Sequence, residues 1–544
     1  MKKGYDYIVV GGGSAGCVVA NRLSANPAAE VLLVEAGQRD WNPLLRVPLM
    51  ATFFMRKSYH NWAYLTEPEP NLNNRQIPWP RGRVLGGSSQ LNGMVYIRGN
   101  RGDYDHWAQL GLRDWSYEKV LPFFQRSENF LDEEIVDRQA HHGSGGELPV
   151  TRTPAKLALY DALIEAGQQA GYTANPDFNG AVQEGFGRYH FTIRDGERWS
   201  TARAFMEPVR ERKNLTVLTG AQLTRVIIEK GRAVAIEVKS GGSIHRIDSS
   251  REIVLSCGAI TSPTALMHSG IGDAEDLRKH GIKVVANRPS VGRNLQDHLT
   301  IRIVHASEKP DSLYDLRRVD RSFLAVLQAM LTGQGKATAM PLEGGAFIRS
   351  RAEMEYPDLQ VHFFPGVPAQ NGLRVPFMKD PPGIYDGYGF AGTICQVRPE
   401  SRGEITLKSA DPFAAPCICA NYLSTQNDKL TMRAGVRILR DVLNKPAFDF
   451  MKSREVGPGP QVTSDADIDA YVRQYAGTVY HPVGTCRMGM DLDSVLDEEL
   501  RVREVQGLRV ADASVMPTLI SGNTNAPSIM IGEKCADYMI RAAA

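Results

Sequence analysis

The N-terminal segment of the chain contains the feature that most restricts its fold. The pattern YDYIVV is typical of a buried strand, and a GxGxxG motif formed by Gly11, Gly13 and Gly16 follows it and opens a helical pattern. A second strand pattern, VLLVEAG, contains Glu35. Such glycines allow a tight turn and the close approach of a pyrophosphate, and an acid at this place accepts hydrogen bonds from a ribose. The pattern predicts a Rossmann-type dinucleotide site; the alternative is a glycine turn with a structural role only.

The size and composition of the chain restrict the classes of protein to which it belongs. Its 544 residues predict roughly two to four domains, and its net charge of +2 does not indicate a nucleic-acid partner. The seven cysteines include no CxxC pair, which argues against a metal centre and for a reducing compartment. No stretch of the sequence approaches the roughly 18 apolar residues of a membrane span. We therefore expect a cytoplasmic protein that binds neither metal nor nucleic acid.

One short apolar stretch is a candidate for contact with a membrane surface. FLAVLQAML, residues 323–331, follows a basic cluster of Arg317, Arg318 and Arg321. A short apolar helix behind basic residues can rest on the inner face of a membrane as a peripheral contact. The alternative, which we favour, is a helix whose apolar face packs on the protein.

Strand and glycine patterns recur along the chain and indicate a discontinuous nucleotide domain. LTVLTGAQLTRVIIEKGRAVAIEVK is typical of antiparallel strands with EKGR as a turn, and buried strand patterns return in EIVLSCGAITSP and GLRVADASVMPT. The segment WPRGRVLGGSSQLNGMVYIRGN, residues 79–100, combines glycine and serine with apolar residues that indicate burial. Small residues of this kind let a backbone lie close to a flat cofactor.

Several of these segments resemble signatures of the glucose–methanol–choline (GMC) oxidoreductases. Residues 82–100 resemble the first signature of the family, and GAITSPTALMHSGIG resembles the second. The opening glycine motif, NPDFNG, VGRNLQDH, HPVGTCRMG and GLRVADASVMPT…GNTNAPSIMIGEK follow the order of the family, so the resemblance covers essentially the whole chain. It implies FAD rather than NAD as the bound cofactor.

The resemblance also implies a fold and a division into domains. The implied fold class is α/β (α+β overall), with a discontinuous Rossmann-type FAD-binding domain and a substrate-binding domain that contains an antiparallel sheet. We expect residues 1–155, 212–305 and 478–544 to form the FAD-binding domain. Residues 156–211 and 306–477 would form the substrate-binding domain, with the flavin between the two.

The resemblance implies a set of FAD contacts and a mode of attachment. The implied contacts are Gly11, Gly13, Ser14, Ala15, Gly16, Glu35, Ala36, Val84, Gly87, Asn92, Gly93, Met94, Val95, Val226, Asp512 and Ala513. Some relatives attach FAD covalently through a histidine directly before the asparagine that corresponds to Asn92. This chain has Leu91 there, so we expect FAD to be bound non-covalently.

The segment YHPVGTCRMG places a histidine among residues that restrict the backbone. From the residues alone, His481 is a turn residue, a metal ligand or a proton-transfer group. The resemblance implies that His481 is the general base and that Asn525 in GNTNAPS is its partner. An imidazole with a pKa of about 6.5 is a usable proton acceptor at neutral pH, and an amide can donate to the substrate oxygen.

Three further polar residues require a choice between functional and structural roles. By the resemblance, His362 in LQVHFF points toward the substrate cavity; the alternative is a core histidine with satisfied hydrogen bonds. Glu343 corresponds to a family glutamate near the substrate, and it either attracts the substrate or has a structural role. His298 in LQDH is expected to be a structural hydrogen-bonding residue.

The resemblance implies FAD-dependent oxidation of an alcohol, in the first place a primary alcohol, to the aldehyde or ketone. His481 would take the hydroxyl proton while a hydride passes to flavin N5. A quinone, another electron carrier or O2 would then accept the electrons, and we favour a carrier over oxygen. The chain looks most like the bacterial choline, alkyl-alcohol and sorbose dehydrogenases. The four aromatic candidates for a choline cage are scattered in the sequence: Tyr59, Trp62, Phe363 and Phe364. The alternatives are a non-redox flavoenzyme of the hydroxynitrile lyase or fatty-acid photodecarboxylase type, and a flavin-binding protein without catalysis.

Overall fold

Two sheets of seven strands each form the framework of the molecule. The computed structural model describes residues 4–153, 157–310, 312–367 and 387–543. The strands of the two sheets are β1 (Gly4–Val10), β2 (Val31–Glu35), β3 (Gly185–Arg188), β4 (Leu215–Thr219), β5 (Ala221–Glu229), β6 (Arg232–Ser240), β7 (Ser243–Leu255), β8 (Leu299–Ser307), β9 (Gly344–Ile348), β10 (Leu359–Phe364), β11 (Gly389–Gln396), β12 (Ser453–Gly457), β13 (Gly477–Thr478) and β14 (Leu508–Val510).

The first sheet has the order β4-β2-β1-β7-β6-β5, with β14 paired to β7. Strands β4, β2, β1, β7 and β14 run parallel. Strand β6 continues the sheet antiparallel to β7, and β5 follows antiparallel to β6. Strand β2 is buried throughout, as a central parallel strand covered on both faces requires. The Rossmann-type prediction is confirmed. The hairpin prediction is correct for β5 and β6 but wrong for β4, which pairs in parallel with β2.

The second sheet has the order β12-β8-β11-β10-β9-β3, with β13 paired to β8. All of its pairings are antiparallel, as predicted. Alternate residues of an antiparallel strand point to opposite faces of the sheet. One face packs on a long helix, where Val436 and Leu439 join the same apolar cluster as Phe390 and Ile394. The other face is turned toward the cavity described below.

Twelve α-helices in the described residues complete the layers around the sheets. They are α1 (Ser14–Leu23), α2 (Ala51–Phe54), α3 (Arg101–Gln109), α4 (Tyr117–Ser127), α5 (Arg138–His141), α6 (Ala158–Gln169), α7 (Gly258–His268), α8 (Ala274–Lys279), α9 (Val319–Thr332), α10 (Gln426–Leu443), α11 (Asp465–Tyr475) and α12 (Asn525–Ala543). Helices α1 and α12 pack against each other beside the first sheet, so that the two ends of the chain meet at the glycine motif.

The sheets divide the chain nearly as the predicted domains do. Every strand of the first sheet lies within residues 1–155, 212–305 or 478–544. Strand β8, however, belongs to the second sheet although most of it precedes residue 305, because its residues pair with β11, β12 and β13. The expected boundary after residue 155 lies outside the described residues. The domain limits therefore stay a prediction, with the boundary near 305 moved to the start of β8.

Helix α9 contains the apolar stretch that raised the question of membrane contact. Its Val326 and Ala329 are buried in a cluster with Val47. Its opposite side exposes Phe323 by 64% and Leu331 by 76%, so only one side of the helix packs on the protein. Among the described residues, no helix combines the length and the apolar character that crossing a membrane requires. Contact of the exposed side with a membrane surface stays a prediction.

Candidate active site

A cavity of about 850 Å³ lies where the two sheets approach each other. The glycine loop after β1 and the end of β2 line one side, and side chains of β8, β10 and β11 line the other. Its volume is at the upper end of the range of roughly 300–1,000 Å³ that small-molecule and cofactor sites occupy. The cavity therefore contains residues of both sheets within one binding site.

Two glycine-rich loops face each other at one end of the cavity. Gly11 has a φ of +101°, and a Cβ there would lie 2.4 Å from the carbonyl oxygen of Ser256. A Cβ on Gly87, which has a φ of +54°, would lie 2.7 Å from the Cα of Gly13. Helix α1 begins at Ser14, directly after the first loop, so its N-terminal amides and positive dipole end face this part of the cavity. This arrangement fits the pyrophosphate of FAD.

Two buried carboxylates flank the glycine loop. Glu35 accepts hydrogen bonds from the backbone N–H of Gly12 at 2.9 Å and of Gly37 at 2.7 Å. Asp512 accepts from the backbone N–H of Gly258 at 2.9 Å. Burial raises the pKa of Glu35 to about 7 and also raises the pKa of Asp512, while these amide bonds act in the opposite direction. Both carboxylates line the cavity beside the pyrophosphate loop, where the ribose of a dinucleotide binds.

Most of the predicted FAD contacts line this cavity, but three do not. Gly16 lies beneath the loop, where a Cβ would meet the carbonyl oxygen of Gly11 at 1.9 Å, so its role is to let α1 pack closely. Val84 is fully buried in an apolar cluster. Val226 is also buried, and its backbone N–H donates to Ser269 Oγ at 2.8 Å; residues 221–224 line the cavity instead. The lining residues from the predicted set are Gly11, Gly13, Ser14, Ala15, Glu35, Ala36, Gly87, Asn92, Gly93, Met94, Val95, Asp512 and Ala513.

A buried arginine fixes the second glycine-rich loop from below. Arg198 Nη1 donates to Asn92 Oδ1 at 2.8 Å, and the same oxygen accepts from the backbone N–H of Met94 at 3.1 Å. Met94 adopts a φ of +61°, which is unusual for a residue with a side chain. Burial lowers the pKa of Arg198 to about 9. The Asn92 side chain thus holds the strained turn that faces the cavity.

The backbone of His481 is clamped from two sides. Its N–H donates to Asp297 Oδ1 at 2.7 Å, and Asp297 Oδ2 accepts from Thr478 Oγ1. The preceding residue, Tyr480, has a φ of +68°, and its carbonyl oxygen accepts from Arg81 Nη2 at 2.6 Å. A positive φ costs on the order of 1–3 kcal/mol and persists only where the surroundings enforce it. These contacts fix the direction in which the imidazole leaves the backbone.

The hydrogen bonds of a second histidine determine the tautomer of His481. His298 Nε2 lies 3.2 Å from the carbonyl oxygen of Val397, and His298 Nδ1 lies 2.9 Å from His481 Nδ1. A carbonyl oxygen only accepts, so His298 carries its hydrogen on Nε2; burial lowers its pKa to about 3 and keeps the ring neutral. His298 Nδ1 must then accept from His481 Nδ1–H. This leaves the lone pair of His481 on Nε2.

A second chain of hydrogen bonds orients an asparagine toward the same nitrogen. The Tyr189 hydroxyl donates to the carbonyl oxygen of Val361 at 2.7 Å and accepts from Gln360 Nε2 at 3.2 Å. Gln360 Nε2 also donates to Asn523 Oδ1 at 3.2 Å, which turns the Asn523 amide nitrogen to His481 Nε2 at 3.3 Å. The first chain of hydrogen bonds thus ends at His481 Nδ1 and the second at Nε2, so that His481 lines the cavity with an amide donor beside its Nε2.

The structure brings Asn523, and not Asn525, to the ring of His481. Asn525 is the first residue of α12, and its Oδ1 accepts from Ser14 Oγ at 2.7 Å. Its side chain therefore joins the N-termini of α1 and α12 at the pyrophosphate end of the cavity. The expected pairing of Asn525 with His481 is therefore corrected to a pairing of Asn523 with His481. Helix α12 begins at Asn525, after Asn523, so the two asparagines point to different parts of the cavity.

His362 and Glu343 occupy different environments. His362 lines the cavity opposite Thr393, its Nδ1 has no hydrogen-bond partner in the described part of the chain, and burial lowers its pKa to about 4. Glu343 does not line the cavity. It accepts from Thr153 Oγ1 at 2.7 Å and pairs with Arg188 at 3.3 Å, and burial raises its pKa to about 7. His362 thus faces the cavity and Glu343 is paired away from it, and the roles of both residues toward the substrate stay predictions.

Several residues of the site were not recognised in the sequence. The sequence does not indicate the roles of Asn523, Gln360 and Asp297 at His481. For His298 it indicates only a structural role. The signal for two of them was present in NLQDH, where polar residues directly precede the apolar strand β8. The described residues contain no group of histidine, cysteine or acidic side chains arranged to hold a metal ion.

Known family models match most of the chain, and full-length relatives match nearly all of it. The N-terminal family model of the GMC oxidoreductases matches residues 5–300, and the C-terminal model matches residues 399–532. An alcohol dehydrogenase [acceptor] of Pseudomonas putida is 42% identical over 540 residues, which are 99% of this chain and 96% of that protein. An oxygen-dependent choline dehydrogenase of Brucella suis biovar 1 is 40% identical over 538 residues, 98% of this chain and 95% of that protein.

Solved structures share the fold over the same length. Pyridoxine 4-oxidase from Mesorbium loti has a TM-score of 0.86 at 30% identity and covers 99% of both chains. Formate oxidase from Aspergillus oryzae RIB40 has a TM-score of 0.90 at 27% identity, with coverage of 99% of this chain and 98% of that one.

Proposed function

Because the chain belongs to the GMC oxidoreductase family, we propose that it is an FAD-dependent enzyme that oxidises an alcohol, and that His481 is its general base. The observation that carries the proposal is the unprotonated Nε2 of His481, held in the wall of a cavity that fits FAD. The comparisons do not favour the non-redox and non-catalytic alternatives. Anaerobic reduction of the bound flavin by an alcohol tests the proposal.

The polar residues of the cavity divide the chemistry between them. When bound, FAD supplies the acceptor for the hydrogen on the carbinol carbon. His481 Nε2 accepts the proton of the substrate hydroxyl, because its lone pair faces the cavity and its other nitrogen already donates to His298. Asn523 Nδ2 donates to the substrate oxygen as negative charge develops there, which stabilises the transition state more than the ground state.

The pH dependence of the reaction should reflect the environment of His481. Burial, and then the electrostatic interactions with His298, His362 and Arg81, lower its pKa well below the ordinary value of 6.5. A lowered pKa means that the neutral base persists as the pH falls and is lost only below 6.5. We therefore expect the rate of flavin reduction to stay constant between about pH 8 and about pH 6.5. Stopped-flow reduction across this range checks it; a half-maximal rate at about pH 6.5 would contradict it.

We propose that FAD is bound without a covalent link. Leu91 occupies the position of the attaching histidine, lines the cavity and is nearly fully buried. A leucine side chain has no atom that can form a bond to the flavin ring. Precipitation of the holoenzyme with acid should therefore release yellow FAD into the supernatant. Flavin that stays on the precipitated protein would refute the proposal and indicate another attachment residue.

We propose a primary alcohol other than choline as the substrate. A quaternary ammonium site is built from aromatic faces around the cation. Tyr59 is 61% exposed, and Phe363 is buried in the apolar core on the far side of the second sheet. Of the four aromatic candidates in the sequence, only Trp62 and Phe364 line the cavity. Tyr64 and Tyr480 also line it, but Arg56, Arg81 and Arg302 line the same cavity and act on Tyr480, and their positive charge opposes a cation.

We propose a quinone or another electron carrier, rather than O2, as the electron acceptor. The Pseudomonas putida relative is named for an acceptor, whereas the Brucella suis relative is named for oxygen. Their identities to this chain, 42% and 40%, are nearly equal, so the proposal rests on the preference for a carrier already drawn from the sequence. Turnover with a soluble quinone should be much faster than turnover in air. Peroxide production at a rate equal to that with the quinone would reverse the assignment.

A further inference from the structure

The charged groups of the cavity are separated into an acidic end and a basic end. In the described residues, the carboxylates that line it are Glu35 and Asp512, and both accept backbone hydrogen bonds at the glycine-loop end. Arg56, Arg81 and Arg302 also line it, and all three act electrostatically on Tyr480, next to His481. The substrate end of the cavity is therefore positively charged.

Arg302 occupies the middle of strand β8 on the face of the second sheet that is turned to the cavity. It pairs across the strands with Thr393, which in turn pairs with His362, and all three residues line the cavity. Its side chain is accessible through the cavity, and its guanidinium lies 5.9 Å from the ring centre of Phe364. Arg302 thus belongs to the same wall as His362, and it lies on the opposite sheet from the pyrophosphate loop.

The guanidinium of Arg302 has no ion pair and no hydrogen bond within the described part of the chain. Other arginines of the described residues have partners. Arg81 donates to the carbonyl oxygens of Pro80 and Tyr480, and Arg188 pairs with Asp161 and Glu343. Burial lowers the pKa of Arg302, and the charge of Arg56 acts in the same direction.

Arg302 is exposed to the cavity, so water can solvate its guanidinium, and a ligand that displaces this water must supply a counter-ion. A guanidinium presents two parallel N–H donors that match the two oxygens of a carboxylate, and such charge-assisted bonds are the strong ones in proteins. The same charge repels a cationic substrate. The charge of Arg56, which acts on Arg302, adds to the field that favours an anion and does not neutralise it.

We propose that the alcohol substrate carries a carboxylate at the end remote from its hydroxyl group and that Arg302 binds this carboxylate. The inference rests on the proposed alcohol oxidation and names its substrate class: an ω-hydroxycarboxylate. The hydroxyl lies at His481 and Asn523, and the chain of the substrate extends along the cavity face of the second sheet, past Thr393, to Arg302. The product is the corresponding oxo acid.

The test compares substrates that differ only in charge. Anaerobic flavin reduction of the holoenzyme is measured with ω-hydroxycarboxylates of graded chain length and with their methyl esters. For the best length we expect kcat/KM to favour the acid by about 10- to 100-fold, the range that one hydrogen-bonded charge pair supplies. Arg302→Met should abolish this preference and leave the rate with the ester within about threefold of wild type. Arg302→Lys should keep part of the preference.

Arg349→Met is the matched control, because Arg349 does not line the cavity and pairs with Glu184 on the protein surface. It should leave the acid-to-ester ratio unchanged. Equal kcat/KM for acids and esters in wild type would overturn the carboxylate assignment and leave alcohol oxidation intact. An equal loss with both substrates in Arg302→Met would show a structural role and also overturn it. Failure of every acid and every ester to reduce the bound flavin would instead contradict the proposed function itself.

Discussion

Replacement of His481 by alanine should slow reduction of the bound flavin by an alcohol about 10²- to 10⁴-fold, the usual effect of losing a general base. The structure gives the reason. The lone pair on His481 Nε2 faces the cavity, and the other ring nitrogen is hydrogen-bonded to His298. The loss should appear in kcat and in kcat/KM alike, because the proton leaves in the transition state and not in the ground state. Stopped-flow flavin reduction with one good alcohol measures it.

The control for this variant is His106→Ala, which removes an exposed histidine on α3 and should have no effect. Raising the pH should partly rescue His481→Ala, because the alkoxide then forms without a base. Retention of FAD by the variant shows that the fold is intact. Flavin reduction within about threefold of wild type would remove His481 from the mechanism. The base would then have to be sought at His362, the other histidine of the cavity wall opposite the glycine loop.

Replacement of Asn523 by alanine should slow flavin reduction by about 10²- to 10³-fold, which is the typical effect of losing one donor to a developing oxyanion. Asn523 Nδ2 lies 3.3 Å from His481 Nε2 and is oriented by Gln360, so no other amide of the described residues replaces it at that nitrogen. The effect on substrate affinity should be smaller than the effect on kcat, since the charge on oxygen develops only during the reaction.

Asn525→Ala is the matched comparison, because it removes the same amide two residues away. Its Oδ1 accepts from Ser14 Oγ at the N-terminus of α1, so the variant should weaken FAD binding and leave the rate of flavin reduction in the loaded enzyme nearly unchanged. FAD titration of the apoprotein and stopped-flow reduction of the holoprotein separate the two effects. The opposite result, slow reduction in Asn525→Ala and normal reduction in Asn523→Ala, would restore the pairing expected from the sequence.

The parts of the fold that follow from local pattern were predictable from the sequence. At the N-terminus, a strand, the glycine motif and a helix follow one another at a fixed spacing. This spacing defines the turn and places Gly11 beside Glu35. The parallel pairing of β4 with β2 did not follow, because parallel partners are distant in sequence and no turn connects them.

The site was predictable to the level of segments and not of individual side chains. The segment GNTNAPS supplies the amide beside His481, but the choice between Asn523 and Asn525 depends on where α12 begins, and helix limits are uncertain by a few residues in any sequence pattern. The tautomer of His481 depends on the carbonyl oxygen of Val397, 84 residues before it in the chain, which no local pattern reveals.

The measurement that tests the account most directly is anaerobic mixing of the FAD-loaded enzyme with a primary alcohol and with the same alcohol deuterated at the carbinol carbon. We predict that the visible flavin absorbance is lost with the alcohol and more slowly with the deuterated form, because the carbon–hydrogen bond breaks as the flavin is reduced. Bound FAD that keeps its absorbance with every primary alcohol tested, including the ω-hydroxycarboxylates, would contradict the account.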